Sequence, residues 1–182
     1  ALKSYNKALS MLDKESDDKR YWSLYYSRGI AYERLGDWDK AEKDLKKALE
    51  MEPNHPYILN YLGYSWADQG KNLEEALEMI AQAVRLRPDD GYIVDSLGWV
   101  YFKLEDFERA VEPLETAVAL MPEDATINDH LGDAYWKVGR KHEARFQWKR
   151  ALSFAEEAPD NLSDLEAVEL VERIKEKMKS GL

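Results

Sequence analysis

A spacing of 34 or 35 residues recurs along the chain, and it constrains the fold more than any other feature of the sequence. Four glycines follow one another in steps of 34, 35 and 34 residues: Gly29, Gly63, Gly98 and Gly132. Four small residues keep the same spacing: Ala41, Ala76, Ala110 and Ala144. A period of this length is typical of repeat folds, in which each unit buries its apolar face against the next unit.

Each copy of the repeat predicts two short helices joined by a turn. An aromatic residue follows each glycine by three positions: Tyr32, Trp66, Tyr101 and Tyr135. A proline, which cannot continue a helix, closes three copies, and the fourth has Glu156 in that place: Pro53, Pro88 and Pro122. The turn position holds a glycine in three copies and a glutamate in the other: Gly36, Gly70, Glu105 and Gly139. One extra residue lies near Asn72, in the turn of the second copy.

These positions resemble the tetratricopeptide repeat (TPR), and the resemblance covers about residues 22–158. It implies an all-α fold, a right-handed superhelical solenoid of antiparallel helix pairs with a C-terminal capping helix. The predicted division begins with the second helix of a truncated repeat and a loop, continues with four repeats, and ends with the capping helix: residues 1–20, 22–55, 56–90, 91–124, 125–158 and 159–182.

Composition narrows the partners that such a chain would take. The formal net charge of −10 disfavours nucleic acid, because that binding depends on lysine and arginine neutralising phosphates. We therefore expect a protein or peptide partner of apolar or basic character, although acidity also serves simply to keep a protein in solution. The chain has no cysteine, so it forms neither disulfides nor thiolate sites. No apolar run reaches the length of a membrane span, and no signal peptide is visible.

Both ends of the chain lie outside the four complete copies. Residues 1–12 match the second helix of a repeat, and the first helix would normally cover their apolar side chains: Leu2, Tyr5, Leu9 and Leu12. We therefore expect the full protein to extend towards the N-terminus, and the polar run 13–20 to form a loop. The same uncovered face is also able to associate with a second copy of the chain.

The last helix begins with a capping signal. Ser163 and Glu166 have the spacing of a capping box, and Leu162 is placed as its hydrophobic staple. One apolar stripe follows: Leu165, Val168, Val171, Ile174 and Met178. The glutamates, lysines and arginines of this segment, Arg173 and Lys177 among them, are expected on the other, solvated face. The stripe predicts a helix that caps the last repeat, and the alternative is a docking helix for a partner.

The candidate binding residues form a second stripe on the first helix of each copy. In TPR proteins this stripe lines a concave groove that binds peptides. The candidates are Tyr26, Tyr57, Asn60, Tyr64, Tyr92, Asp95, Trp99, Phe102, Asp129, Asp133 and Trp136. Aromatic residues dominate binding hot spots, and the carboxylates are suited to a lysine, an arginine or an N-terminal amine. The alternatives are that the aromatic residues only pack between helices and that the carboxylates are solvated.

Other sites are not expected. The groove positions hold no lysine or arginine, although Lys103 and Lys137 lie at the groove edge. This argues against the clamp by which related co-chaperones bind a C-terminal carboxylate. The sequence has no Gly-rich phosphate loop and no H-E-x-x-H motif. His130 and Asp133 share a helix face, but two ligands do not make a closed metal site. We predict no enzyme activity, no cofactor and no metal.

Several strings resemble a narrower group: YILNYLGYSWADQG, DGYIVDSLGWVYF, INDHLGDAYWKVGR and EARFQWKRAL. They are similar to the C-terminal repeats of proteobacterial, above all alphaproteobacterial, multi-repeat proteins. Some of those are outer-membrane lipoproteins, and one type is an adaptor for a periplasmic carboxyl-terminal-processing protease. The resemblance implies a non-catalytic scaffold or adaptor in the periplasm or at the outer membrane, with the cytoplasm as the alternative. The other hypothesis is a structural module that self-assembles through its N-terminal helix.

Overall fold

The two helices of each copy pack against each other as a hairpin. The computed structural model describes residues 2–11, 19–157 and 164–182, without the side chains of residues 19 and 164–166. Four hairpins run through the described chain: α2 (Trp22–Glu33) with α3 (Trp38–Met51), α4 (Pro56–Asp68) with α5 (Leu73–Leu86), α6 (Gly91–Lys103) with α7 (Phe107–Leu120), and α8 (Ala125–Lys137) with α9 (Lys141–Glu157).

The hairpins stack to make an α-helical solenoid. The first helices lie beside one another, since α6 contacts both α4 and α8. At the ends, α1 (Leu2–Met11) packs on α2, and α10 (Asp164–Ser180) packs on α9. All regular structure in the described residues is helical. The stack has a continuous apolar interior, because Val84 packs against the buried groups of both its N-terminal and its C-terminal halves.

The helix glycines permit the close approach of each pair. A Cβ atom on Gly98 would lie 2.4 Å from Cγ of Leu114 and 3.1 Å from the backbone oxygen of Ala110. At Gly29 the nearest atom is Cγ of Leu45, at 2.9 Å. Any larger residue at these positions would overlap the partner helix, which explains why glycine recurs there.

Helix ends follow the repeat as predicted. Glu52, Arg87 and Met121 each precede a proline and have φ of −130°, −142° and −132°, because proline disfavours helical backbone in the preceding residue. The helices they end have 14 residues each, whereas α9, which has no such proline, runs for 17. The residues at the turn position all have positive φ: 75° at Gly36, 66° at Gly70, 61° at Glu105 and 85° at Gly139.

The terminal helices differ in part from the sequence predictions. Val168 was expected in the buried stripe of α10, but it is 55% exposed. Ile174 of the predicted stripe is fully buried, and Val171 and Met178 pack partly buried against the core. The other buried residues of α10, Ala167, Leu170 and Lys177, were not in the predicted stripe. The predicted capping box and staple, with Leu165, lie outside the described residues or side chains, and so do Ala1, Leu12 and residues 13–18. In α1 no side chain is fully buried, and Leu2, Tyr5 and Leu9 are half-buried.

Candidate functional site

A cavity of about 450 Å³ lies where α4, α6, α8 and α10 meet. The first three helices bring the predicted groove positions together, and α10 closes one side. The residues used below are Tyr64 and Asp68 from α4, Trp99 from α6, Asp129, His130 and Asp133 from α8, and Arg173 and Lys177 from α10. We call this space the groove cavity.

Two carboxylates on α8 bind the cations of α10. Asp129 is 1% exposed and Asp133 is 4% exposed, so the interpretation of solvated charges is wrong. Nζ of Lys177 lies 2.8 Å from Oδ2 of Asp129 and 2.7 Å from Oδ2 of Asp133. Arg173 donates a further hydrogen bond of 3.1 Å to Oδ2 of Asp129. Cations of the same chain thus neutralise Asp129 and Asp133. Without them the two buried carboxylates would strongly destabilise the fold, because burying an unpaired charge is costly.

Asp133 also accepts a hydrogen bond from α9, and its surroundings change its pKa. Its Oδ1 accepts a hydrogen bond of 2.9 Å from the indole of Trp148 on α9. Burial and the charge of Asp129 raise the pKa of Asp133 above its ordinary value, even though Lys177 acts in the opposite direction. Asp133 therefore connects α8 to α9 through Trp148 and to α10 through Lys177. The ammonium group of Lys177 favours the ionised form of its carboxylate.

The third groove carboxylate, Asp95, binds a histidine of the neighbouring hairpin. Nδ1 of His130 lies 3.1 Å and 3.0 Å from the two carboxylate oxygens of Asp95. Burial opposes protonation of His130, but the carboxylate of Asp95, with help from Asp129 and Asp133, raises the pKa of the imidazole. The pair fixes α6 to α8 from inside the groove face.

Aromatic rings continue from this histidine along α6. The imidazole of His130 stacks on Trp99 at a centroid distance of 4.0 Å, and Trp99 stacks on Phe102 at 4.9 Å. The indole Nε1 of Trp99 is buried and has no hydrogen-bond partner within the described chain. Trp99 thus supports the neighbouring hairpin and also lines the groove cavity.

The groove cavity brings together only some of the predicted residues. It includes Tyr64, Trp99, Asp129 and Asp133, with Asp95 behind them and Phe102 stacked on Trp99. On the N-terminal side, Tyr26 packs edge-on against Tyr61, and Asn60 has a buried Oδ1 without a partner among the described residues.

Three predicted residues lie elsewhere. Tyr57 and Tyr92 line a separate hollow of about 320 Å³ beside Arg87. The ring of Trp136 is covered by Gly181, where an added Cβ would lie 2.1 Å from Cζ2. These three residues are therefore not part of the groove cavity.

The sequence prediction missed the residues that neutralise the groove. Arg173 and Lys177 were expected on the solvated face of α10, and His130 was considered only as a metal ligand. The sequence feature that could have revealed them is the spacing of four between Arg173 and Lys177, which places both cations on one helix face. The three carboxylates predicted on neighbouring helices, Asp95, Asp129 and Asp133, would each require a cationic partner once buried. Among the described residues no group of three or more acids and histidines is placed to hold a metal ion.

Comparison with known proteins supports the repeat assignment. Two family models match the chain, one for the tetratricopeptide repeat over residues 26–91 and one for the TPR repeat over residues 98–139, and together they cover more than half of it. The TPR repeat-containing protein PA4667 of Pseudomonas aeruginosa is 40% identical over 81 residues, which are 44% of this chain and 14% of that protein. Bacteriophage adsorption protein A of Escherichia coli is 33% identical over 84 residues, which are 46% of this chain and 8% of that protein. The chain therefore matches only a small part of either relative.

Solved structures of MamA share the fold. A MamA fragment from Desulfovibrio magneticus RS-1 superposes with a TM-score of 0.65 at 24% identity, and the match covers 85% of this chain and 95% of that one. A double mutant, MamA RS-1 ArsTM, gives a TM-score of 0.68 at 24% identity over 85% of this chain and 83% of that one. Together with the family models and the 34-residue spacing, these likenesses establish that the chain is a tetratricopeptide repeat protein.

Proposed function

We propose that this protein is a non-catalytic scaffold that binds an extended segment of a partner protein in the groove cavity. TPR proteins are protein-interaction scaffolds, and this general role applies to the chain. The observation that carries the specific proposal is the groove cavity itself. Its volume of about 450 Å³ is within the usual range for binding pockets.

The accessible groups of the cavity indicate what the segment would offer. The Asp68 side chain is 59% exposed and the Arg173 side chain is 54% exposed, so both charge signs are available to a ligand. The hydroxyl of Tyr64 has no hydrogen-bond partner among the described residues. Burial and the nearby carboxylates of Asp95 and Asp68 raise the pKa of that hydroxyl, so it remains a donor at neutral pH.

The expected ligand follows from these groups. An apolar side chain would lie between Tyr64 and Trp99, and a backbone carbonyl would accept from the Tyr64 hydroxyl. Asp129 and Asp133 already have cations, so a basic ligand gains little from them. A ligand of mixed charge therefore fits the groove cavity better than the basic ligand expected from the sequence.

Site-specific crosslinking tests this proposal. A photo-crosslinking amino acid would replace Asp68 in the cavity or, as a control, Leu35, which is exposed at the turn between α2 and α3. We expect one partner to crosslink from position 68 and not from position 35. The segment found in that adduct should bind the Tyr64→Ala variant about tenfold more weakly, as expected for an aromatic hot spot. Equal crosslinking at both positions, or an unchanged Kd, would contradict the proposal.

A second candidate function is self-assembly through α1. Its apolar residues Leu2, Tyr5 and Leu9 are only half-buried, and Met11 at its end is largely exposed. A second copy could cover this face. Sedimentation velocity across a range of concentrations tests this function, and a Leu2→Glu, Leu9→Glu variant should then remain monomeric. A wild-type chain that stays monomeric throughout excludes it.

The narrower role remains a prediction. It places the protein in the periplasm or at the outer membrane as an adaptor for a carboxyl-terminal-processing protease. In the part of the chain that the structure describes, no helix has the length and apolar character needed to span a bilayer. Fractionation of the source cells, followed by capture with the purified protease, tests the compartment and the partner separately.

A further inference from the structure

The outer face of α9 differs from the other second helices in charge and in apolar exposure. Phe146 is 58% exposed, and it lies on the opposite side of α9 from the buried residues Ala144, Trp148 and Ala151. A helix turns 100° per residue, so His142 and Lys149 lie within about 60° of Phe146, and Arg145 lies beside them on the same flank of the helix. We call these four residues the α9 patch.

The repeat itself provides the comparison. The positions equivalent to Phe146 hold a charged residue in the other three copies: Lys43, Glu78 and Glu112. The positions equivalent to His142 are all acidic: Asp39, Glu74 and Glu108. This face is therefore acidic on α5 and α7, and it becomes basic with an exposed phenyl ring on α9. Packing within the hairpin does not require that change, because the face points away from the core.

Among the residues that the structure describes, no acidic side chain forms an ion pair with the cations of the α9 patch. Among the described residues, Arg145 approaches only the ring of Trp136, at 5.7 Å, and Lys149 makes no ion pair. By contrast, the neighbouring Arg140 is neutralised by Glu115 at 2.9 Å and by Glu143 at 2.6 Å. Residues 137–150 contain six lysines and arginines and one acid, although the whole chain has a net charge of −10.

We infer that the α9 patch is a second interaction surface, which binds a narrow acidic segment of a partner protein that carries an apolar side chain. The cations would pair with its carboxylates, and Phe146 would contact the apolar group. Binding hot spots are enriched in large aromatic residues and arginine, so Phe146 beside Arg145 is suited to this role. The charges would steer the encounter, so binding should weaken as salt is added.

The borders of the patch favour a narrow ligand over an extended polyanion. Glu115 on α7 contacts Arg140 next to the N-terminus of α9, and Glu172 and Glu176 are exposed on α10, which packs against α9. A membrane surface or a nucleic acid that reached Phe146 would also meet these carboxylates. A single helix or extended segment lying along α9 would avoid them.

The test uses a fluorescein-labelled peptide of 17 residues, which as a helix matches the length of α9. It would be rich in glutamate, with two leucines four residues apart, and a second peptide would replace each glutamate by lysine. Anisotropy should increase with the acidic peptide and not with the basic one. Binding should be at least about tenfold weaker in the Arg145→Glu, Lys149→Glu variant and in Phe146→Glu, which places at this position the residue that α5 and α7 carry.

A matched control makes the same charge change elsewhere. Lys43→Glu with Lys46→Glu alters two exposed lysines of α3, one at the position equivalent to Phe146 and the other at that of Lys149. This variant should retain peptide binding, and so should Tyr64→Ala, because the groove cavity is a separate site. Circular dichroism would verify that each variant is folded.

Four results would overturn the inference. The first is that the acidic peptide does not bind the wild-type chain, and the second is that the α3 control loses as much affinity as the α9 variant. The third is that vesicles of phosphatidylglycerol and phosphatidylcholine bind through Arg145 and Lys149 while the peptide does not. The fourth is self-association at low salt that disappears in the α9 variant, again without peptide binding, which would assign the patch to a second copy instead.

Discussion

The ammonium group of Lys177 on α10 lies 2.7 Å from the carboxylate of Asp133 on α8, and both side chains are almost fully buried. Two more contacts of 2.9 Å and 2.8 Å join the same nitrogen to Asp129. One lysine thus holds the last helix against two carboxylates of the groove face. The C-terminal helix is therefore fixed by charge as well as by the apolar contacts of Leu170 and Ile174.

Replacing Lys177 by methionine should destabilise the protein by about 3–5 kcal/mol, because two buried carboxylates would lose the cation that they share, and Arg173 contacts only Asp129. Urea denaturation measures this free energy of unfolding. Adding Asp133→Asn to Lys177→Met should recover part of the loss, since one unpaired charge is then removed. Lys179→Met is the matched control, because that side chain is 75% exposed and should change stability by less than about 0.5 kcal/mol. A loss below about 1 kcal/mol for Lys177→Met would contradict the importance of the pair.

Stability should also depend on the protonation of His130. The pKa of this imidazole is raised in the folded protein from its ordinary value of 6.5, so folding favours the protonated form. Its stabilising contribution is fully present below pH 6.5 and is lost as the pH rises above 6.5 through the raised folded pKa. Urea denaturation at a series of pH values measures the slope, and nuclear magnetic resonance of the imidazole gives the pKa directly.

The His130→Gln variant provides the comparison for this effect. It should lose stability near neutral pH and show a flatter dependence above pH 6.5, where the imidazole would otherwise lose its proton. Asp95→Asn should have a similar effect, because the carboxylate of Asp95 is what favours the proton. An unchanged slope in both variants would mean that other groups determine the pH dependence.

The repeat spacing was sufficient to predict the hairpins and the close contacts within them. Gly98 and Leu114 are 16 positions apart, and the same pair recurs as Gly29 and Leu45. Because each pair lies within one hairpin and keeps the same separation in the sequence, the repeat spacing is enough to predict these contacts. The spacing also places Asp95 and Asp129 on neighbouring first helices, so the groove face could be predicted before its contacts were known.

The partners of the groove carboxylates could not be predicted in the same way. Lys177 and Arg173 belong to α10, which lies outside the repeat, so no equivalent position defines how that helix aligns with α8. The sequence pattern also placed Val168 in the buried stripe, whereas the observed contacts bury Leu170 and Lys177. Lysine was assigned to solvent because of its charge, and only the two carboxylates opposite make its burial favourable.

The close contact at Gly98 should make even a methyl group costly. The Cβ of alanine would lie 2.4 Å from Leu114, compared with 2.9 Å from Leu45 in the equivalent Gly29→Ala variant. We expect Gly98→Ala to destabilise by about 1–3 kcal/mol, and Gly98→Leu by more, because overpacking displaces the neighbouring helix. Thermal unfolding measures both, with Gly29→Ala as the milder comparison. Combining Gly98→Ala with Leu114→Ala should cost less than the sum of the single changes, because the smaller neighbour leaves room for the added methyl group. Strict additivity would show that Leu114 does not cause the strain.

The turn between α6 and α7 offers a stabilising change. Glu105 has a φ of 61°, and the three equivalent turns have glycine at this position. A left-handed conformation costs a residue with a Cβ about 1–2 kcal/mol, and part of that is offset by the greater entropy that glycine loses on folding. We therefore expect Glu105→Gly to raise the free energy of unfolding by about 0.5–1 kcal/mol. Glu105→Ala is the control, since it removes the charge and keeps the strain, and it should give no comparable gain. If alanine stabilised as much as glycine, the benefit would come from removing a carboxylate from an acidic surface and not from the backbone.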